Sequence, residues 1–150
     1  MWATRPNAAL LVTDLAGRVI CDRCEIAETA LTRMRGLLGR RSLGAGEGLL
    51  LRPGGAVHTA CMHFAIDVVF LGGDGTVLRV VHNLQPWRMA SKRGTRTVLE
   101  LAAGEARWRG IEPGQKLELA PAPVFAPRET DELPAPRDRE TELTGSTAFR

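Results

Sequence analysis

The sequence feature that most constrains the fold is a short apolar run followed at once by a turn. Residues 68–71 read Val-Val-Phe-Leu, and residues 72–75 read Gly-Gly-Asp-Gly. β-Branched and aromatic residues over this length are typical of a buried strand, and glycine-rich turns end such strands. Because residues 76–82 resume an apolar pattern, we predict a β-hairpin over residues 68–82.

Asp67 is the only charged residue that enters this strand. A carboxylate at the mouth of a buried strand needs hydrogen-bond donors or a cation, because burying an unpaired charge is costly. Arg33 and Arg40 bracket the segment 36–38, and a bidentate contact from one of them would satisfy the carboxylate. We therefore predict that Asp67 either holds such a partner or meets a ligand.

The remaining patterns predict a β-rich chain with one or two short helices. Alternating and apolar runs indicate strands, an apolar face at helical spacing indicates a helix, and glycine or proline marks the turns. Residues 83–95 lack periodicity and predict an irregular surface loop. The expected elements are a hairpin over 8–13 and 17–21, a helix over 30–38, strands at 49–51, 97–101 and 116–119, and a helix over 103–108.

Length and composition predict one globular domain. The chain has 150 residues, of which 44% are apolar and 25% charged, and such a chain buries a core without disulfides or metal. We assign residues 1–7 to an N-terminal extension, 8–120 to the domain, and 121–150 to a disordered tail rich in proline and charge. The expected fold class is α+β, mainly antiparallel β, with the sheet forming a partly closed barrel.

The sequence also bounds location and partners. No apolar run approaches the roughly 20 residues that span a bilayer, and the N-terminus lacks the pattern of a signal peptide, so we expect a cytoplasmic monomer without membrane insertion. The net charge is +3, with no tyrosine and four phenylalanines. Because nucleic-acid binders combine concentrated basic faces with stacking aromatics, this composition argues against a nucleic-acid partner.

Three cysteines allow several interpretations. Cys21 and Cys24 form a C-x-x-C pair, and His58 and Cys61 repeat its spacing. Two such pairs would suit a tetrahedral zinc site, and Cys21 with Cys24 would also suit a redox dithiol. The interpretation we favour is two small buried thiols in a strand and turn, which implies no cofactor and leaves zinc as the alternative.

A catalytic group is a further hypothesis. His58, Cys61, His63 and Asp67 include an acid, two bases and a nucleophile. In an extended segment, however, residues 58 and 63 point to opposite faces, whereas 61, 63 and 67 share one. We therefore favour a non-catalytic protein, with a hydrolase as the alternative.

Three sequence blocks resemble a known family. Residues 33–40 (RMRGLLGR), 46–50 (GEGLL) and 58–71 (HTACMHFAIDVVFL) are similar in order and spacing to the family called domain of unknown function 192, or uncharacterised protein family 0127. The resemblance covers about residues 10–120 and implies a compact β-rich domain with no assigned reaction. It also implies, through relatives encoded near pilus-assembly and secretion genes, an accessory role in the cell envelope.

The resemblance further singles out site residues. Its hallmark positions fall on Arg33, Gly36, Leu37, Arg40, Met62 and Asp67, with His58 and Thr59 shared by one subgroup. Cys61 and Ala65 depart from its pattern, since an aromatic residue and a proline are usual there. We predict that Arg33 or Arg40, together with His58, Thr59, Met62 and Asp67, lines one concave patch that holds a small ligand, a peptide or a protein partner.

Overall fold

The computed structural model describes residues 10–27, 37 and 39–121. This part of the chain forms nine strands and one short helix. The predicted helix over 30–38, the N-terminal extension and the predicted tail beyond residue 121 lie outside the described residues. The elements are β1 Leu10–Asp14, β2 Val19–Ala27, β3 Glu47–Leu51, β4 Ala56–His58, β5 Ile66–Leu71, β6 Val77–Leu84, β7 Met89–Ser91, β8 Thr97–Ala102, α1 Glu105–Trp108 and β9 Leu117–Pro121.

β5 lies within the main sheet and pairs on both sides. It runs antiparallel to β6 and to β8, so that Val69 lies opposite Val80 on one side and Leu99 on the other. All six residues of β5 are buried, which explains why its sequence is continuously apolar apart from Asp67. The hairpin predicted from the Gly-Gly-Asp-Gly turn is therefore confirmed.

Seven strands form one mixed sheet in the order β6-β5-β8-β3-β2-β1-β9. Every neighbouring pair is antiparallel except β2 and β3, which are parallel. Parallel neighbours need a long crossover, and residues 28–46 supply it between these two strands. The predicted first hairpin is also confirmed, because β1 and β2 pair antiparallel around a short turn.

The two edges of this sheet approach each other at one end. The N–H of Val77 in β6 donates to the carbonyl of Gln115 at 2.8 Å, and the N–H of Leu117 donates to Gly75 at 3.0 Å. Gly75 has φ of 85°, and a Cβ added there would lie 2.3 Å from the Leu117 carbonyl oxygen. Glycine thus permits the contact, and the curled sheet forms the predicted partly closed barrel.

Both faces of the central strands are buried. Val69 and Leu71 contribute to one cluster with Cys21 and Cys24, whereas Val68 and Phe70 contribute to a second cluster on the opposite face. Successive side chains of a strand point to opposite faces, so one short run supplies both cores. The two clusters therefore form the packed centre of the domain, from which its loops extend.

A second, two-stranded sheet was not predicted. β4 and β7 pair antiparallel, and their central residues Val57 and Ala90 belong to the second core cluster. The prediction of an irregular loop over 83–95 was wrong here, because β6 continues to Leu84 and β7 occupies three residues of the loop. A strand of three residues is too short to show the alternation on which strand prediction depends.

The described helix α1 has four residues, and it was predicted at this position. It begins after Gly104, which has φ of 92°, and Gly110, with φ of 64°, follows its C-terminal turn. No helix among the described residues is long and apolar enough to cross a membrane.

Glu100 is a buried acid in β8, with 6% of its surface exposed. Its neighbours in sequence, Leu99 and Leu101, pack into the first core cluster, so the alternation of the strand directs Glu100 toward the second. Burial raises the pKa of the Glu100 carboxyl to about 7, because desolvation disfavours the charged form.

The raised pKa of Glu100 predicts a pH-dependent stability. The folded protein binds this proton more tightly than the unfolded chain, so stability is full below about pH 4.5 and decreases as pH rises to about 7. The loss is on the order of 3 kcal/mol. Glu100→Gln should therefore be more stable than the native protein at pH 8 and should lose this slope, as measured by urea unfolding between pH 5 and 8.

Glu118→Gln is the matched control, because Glu118 is exposed on β9. We expect this control to keep the slope of the native protein. An identical slope in the native protein and in Glu100→Gln would contradict the assignment.

Candidate functional site

Asp67 is fully buried, and backbone donors satisfy its carboxylate. Oδ1 accepts a hydrogen bond from the N–H of Asn83 at 2.8 Å. Oδ2 accepts from the N–H groups of Gly104 at 3.0 Å and Ala106 at 2.9 Å. Nδ1 of His82 lies 3.8 Å from Oδ2. The carboxylate therefore links β5 to the end of β6 and to the start of α1.

The predicted pairing of Asp67 with Arg40 was wrong. Nη2 of Arg40 instead lies 2.6 Å from Oε2 of Glu25, and both side chains are partly exposed. Arg33 lies outside the described residues. Three backbone N–H groups satisfy the buried carboxylate of Asp67 in place of a guanidinium. Each of these hydrogen bonds has a charged acceptor, which makes it stronger than a bond between neutral groups.

A cavity of about 510 Å³ opens above Asp67. His82 and Arg107 bring basic groups to its wall, and Asn83 holds a left-handed backbone with φ of 52°. That conformation directs the Asn83 N–H at the buried carboxylate. Because the Asp67 oxygens already accept three bonds from the fold, their first role here is structural.

Thr59 is a second buried polar anchor, with 0% of its surface exposed. Its hydroxyl donates to the carbonyl of Gln85 at 2.6 Å and accepts from the N–H of Arg88 at 2.9 Å. Its own N–H donates to the Arg88 carbonyl at 2.9 Å, and its carbonyl accepts from the N–H of Trp87 at 3.0 Å. Thr59 thus fixes the loop over residues 85–88.

This loop presents an exposed tryptophan. Trp87 is 65% exposed and Met89 is 77% exposed, and Trp87 has φ of 62°. A left-handed backbone is strained for a bulky residue, and the bonds from Thr59 hold it. A cavity of about 470 Å³ lies here, and we call its lining the aromatic–basic surface: His58, Ala60, Trp87, Arg88 and Met89.

The surroundings of the aromatic–basic surface carry only positive charge in sequence. Residues 52–66 and 75–96 contain no aspartate or glutamate. The exposed cations of the second stretch are Arg79, Arg88, Lys92, Arg93 and Arg96. A surface lined by one sign of charge attracts ligands of the opposite sign, so this surface suits an anionic partner with an apolar part.

The structure separates the residues predicted to form one patch. His58 lies on the aromatic–basic surface, Thr59 and Met62 lie buried near it in sequence, and Asp67 lines the other cavity. Arg40 is engaged with Glu25. Among the described residues, His58 and Asp67 therefore line two separate cavities.

The four predicted zinc ligands do not converge. Cys21 and Cys24 are buried, whereas His58 and Cys61 are exposed, and no three His, Cys, Asp or Glu side chains of the described residues form a metal-binding group. β1 advances by two residues from Leu10 to Val12 while β2 advances by three between the cysteines. This bulge directs both thiols into the same core. In a regular strand, two residues at this spacing would point to opposite faces.

The redox and catalytic hypotheses also lack a geometric basis. The hydrogen bond with the Cys21 thiol and then burial raise the pKa of Cys24 far above its usual range, which disfavours the reactive thiolate. His63 and Cys61 are exposed near His58, but the carboxylate of Asp67 is committed to backbone donors. The favoured interpretation, two buried thiols, describes these cysteines.

Trp87, Arg88, Met89 and His82 were not among the predicted site residues. A signal was present, since a tryptophan followed by arginine lies in a stretch without acidic residues. What the sequence could not show is that Thr59, which is distant along the chain, holds this loop with the tryptophan outward.

Comparisons with known proteins agree on an uncharacterised family. The model of domain of unknown function 192, described as "Uncharacterized ACR", matches residues 12–119. A UPF0127 protein of Thermococcus sibiricus (strain DSM 12597 / MM 739) is 26% identical over 114 residues, which cover 73% of each chain.

Two solved structures share the fold. A protein of unknown function from Novosphingobium aromaticivorans DSM 12444 has 31% identity and a TM-score of 0.64, and the match covers 73% of this chain and 82% of that one. A protein of Sinorhizobium meliloti 1021, named as a "putative transcription regulator", has 26% identity and a TM-score of 0.65, with 73% and 91% covered.

We predict that Asp67→Asn destabilises the fold, because an amide NH₂ group would face backbone donors where a carboxylate oxygen now accepts. The loss of charge-assisted bonds should lower the free energy of unfolding by about 2–4 kcal/mol, as measured by urea unfolding. Asp22→Asn, at an exposed position of β2, should change it by less than about 0.5 kcal/mol. Equal stability of the native protein and Asp67→Asn would refute the structural role.

We predict that Thr59→Val loosens the loop over residues 85–88, because the near-isosteric side chain cannot bond the partly buried Gln85 carbonyl and Arg88 N–H. The free energy of unfolding should fall by about 1–3 kcal/mol, and amide hydrogen exchange in the loop should accelerate. Thr95→Val removes a more exposed bond to Lys92 and should do neither. Unchanged exchange in Thr59→Val would contradict the anchoring role.

Proposed function

The chain belongs to the family of domain of unknown function 192, and we propose that it is a non-catalytic binding protein. Its aromatic–basic surface binds an acidic peptide segment of a partner protein through one apolar side chain and flanking carboxylates. This refines the site predicted from the sequence: His58 remains in it, Thr59 supports it, and Asp67 serves the fold.

The observation that carries the proposal is the exposed ring of Trp87 on a strained backbone. A left-handed conformation costs on the order of 1–3 kcal/mol for a residue of this kind, and burial of the ring would normally be favourable. Thr59 nevertheless holds the residue with 65% of its surface exposed. Tryptophan is also the residue that most often dominates binding energy at protein interfaces.

The charge of the surface supports an acidic partner. Arg88 lies in the cavity wall, and Lys92, Arg93 and Arg96 follow within the same acid-free stretch. Carboxylates of a bound segment would find cations on this side of the apolar contact. Exposed ion pairs add little affinity individually, but several of one sign accelerate association and select against basic partners.

A peptide fits the cavity better than a nucleic acid does. Proteins that bind single strands stack successive bases on several large aromatic rings, whereas Trp87 is the one Trp, Tyr or Phe among the described residues that line this cavity, beside the smaller imidazole of His58. Met89 and Ala60 complete the apolar lining, and methionine adapts well to aliphatic side chains. An acidic segment with one leucine-like residue matches this arrangement.

The alternative functions have less support. A hydrolase or zinc protein would need Cys21, Cys24, His58 and Cys61 together, but the first two are buried and the last two are exposed. A setting in pilus assembly or secretion, implied by the resemblance, and a cytoplasmic location both stay predictions. Each is compatible with a protein that binds a peptide segment.

The test is a titration with the labelled peptide Glu-Glu-Asp-Leu-Glu-Glu, followed by fluorescence anisotropy at low salt. We expect binding that weakens about tenfold in Trp87→Ala, as for an interface hot spot. It should also weaken as ionic strength rises, because screening reduces the attraction of exposed charges.

Trp108→Ala is the matched control, because Trp108 is 76% exposed but lies on α1 beside Glu105. It should change the affinity less than twofold. A peptide with serine in place of leucine should bind more weakly, whereas an oligonucleotide that binds more tightly than the peptide would overturn the choice of partner. Equal binding to native protein and Trp87→Ala would overturn the proposed site.

A further inference from the structure

We propose that residues 129–133 of the same chain occupy the aromatic–basic surface and compete there with external peptides. This inference rests on the proposed function, since it names an occupant for the same site. The segment reads Glu129-Thr130-Asp131-Glu132-Leu133, so it combines three carboxylates with one leucine. The apolar lining of the cavity suits the leucine, and the neighbouring cations suit the three carboxylates.

Charge complementarity is the first argument. Residues 122–150 carry six acidic residues and four arginines, and three of these acids fall within 129–132. The surface, in contrast, lies in stretches without any acid, with Arg88 in the cavity wall. Opposite charges on one chain attract each other without loss of translational freedom.

The length of the chain is the second argument. β9 ends at Pro121, and the twelve residues from there to Leu133 span up to about 40 Å when extended. A domain of about 110 residues has a radius of gyration of about 13 Å. The segment can therefore reach either face of the domain, wherever β9 ends.

Covalent attachment makes weak contacts sufficient. A short linker gives an effective concentration on the order of millimolar, so a segment with a millimolar dissociation constant fills the site about half of the time. A peptide in solution then competes with the attached segment, and its apparent affinity falls in proportion to the free fraction of sites. A partner would thus have to bind tightly enough, or be concentrated enough, to displace the attached segment.

The test uses the full chain with a nitroxide label on its exposed cysteine. Cys61 is exposed and follows Ala60 of the cavity lining, whereas Cys21 and Cys24 are buried, so labelling is selective. NMR should show paramagnetic loss of amide signal for residues 129–133 but less for residues 143–150. The loss should disappear in E129Q/D131N/E132Q and in high salt.

A matched variant separates this segment from tail charge in general. D138N/E140Q/E142Q removes three acids from the same tail and should leave the signal loss at residues 129–133 intact. For the peptide Glu-Glu-Asp-Leu-Glu-Glu, we expect E129Q/D131N/E132Q to bind about twofold more tightly than the native chain, because about half of the native sites are occupied, and the matched variant to change less than 1.5-fold.

The outcomes distinguish the two proposals. If residues 129–133 lose no signal and the three proteins bind the peptide equally, the tail does not occupy the surface, while the proposed function stands. If E129Q/D131N/E132Q, with the segment neutralised, still does not bind the peptide, the proposed function fails and this inference falls with it. Equal tightening by both tail variants would reduce the effect to net charge and would also overturn the inference.

Discussion

The hydrogen bonding of one buried carboxylate determines how the surrounding elements meet. Asp67 is fully buried in β5, and burial without donors would cost several kcal/mol. The donors come from Asn83 at the end of β6 and from Gly104 and Ala106 at the start of α1. Asn83 and Gly104 both have a left-handed backbone, which these residue types tolerate. In this conformation their N–H groups donate to the Asp67 carboxylate.

The anchoring of β6 also determines where the following loop leaves the sheet. Three residues separate Asn83 from Trp87, and Thr59 then fixes this loop through hydrogen bonds to Gln85, Trp87 and Arg88. Two buried polar side chains therefore hold successive parts of the chain: Asp67 holds the end of β6, and Thr59 orients the loop that follows. Because both are inside the protein, they hold the exposed Trp87 through its backbone.

The sequence predicted the parts of the fold that local patterns encode. The hairpin of β5 and β6 follows from a β-branched run and a glycine-rich turn, and the end of α1 from Gly110. The partner of Asp67 could not be predicted, because every residue except proline carries a backbone N–H and only the tertiary fold selects the donors. The cysteine pair was ambiguous for a related reason: the bulge that turns Cys21 and Cys24 to one side depends on the neighbouring strand.

The contrast between a buried framework and an exposed loop also explains why the family resemblance does not predict a ligand for this chain. Three of its hallmark and subgroup residues, Thr59, Met62 and Asp67, are buried and specify the framework in this chain, whereas His58 lies on the aromatic–basic surface. Trp87, Arg88 and Met89, which form most of the aromatic–basic surface, lie outside the three blocks that carry the resemblance. A loop held by buried anchors can change its exposed side chains with little effect on the core. Under the proposed function, the exposed residues at 87–89, rather than the buried hallmark residues, would therefore decide what this chain binds.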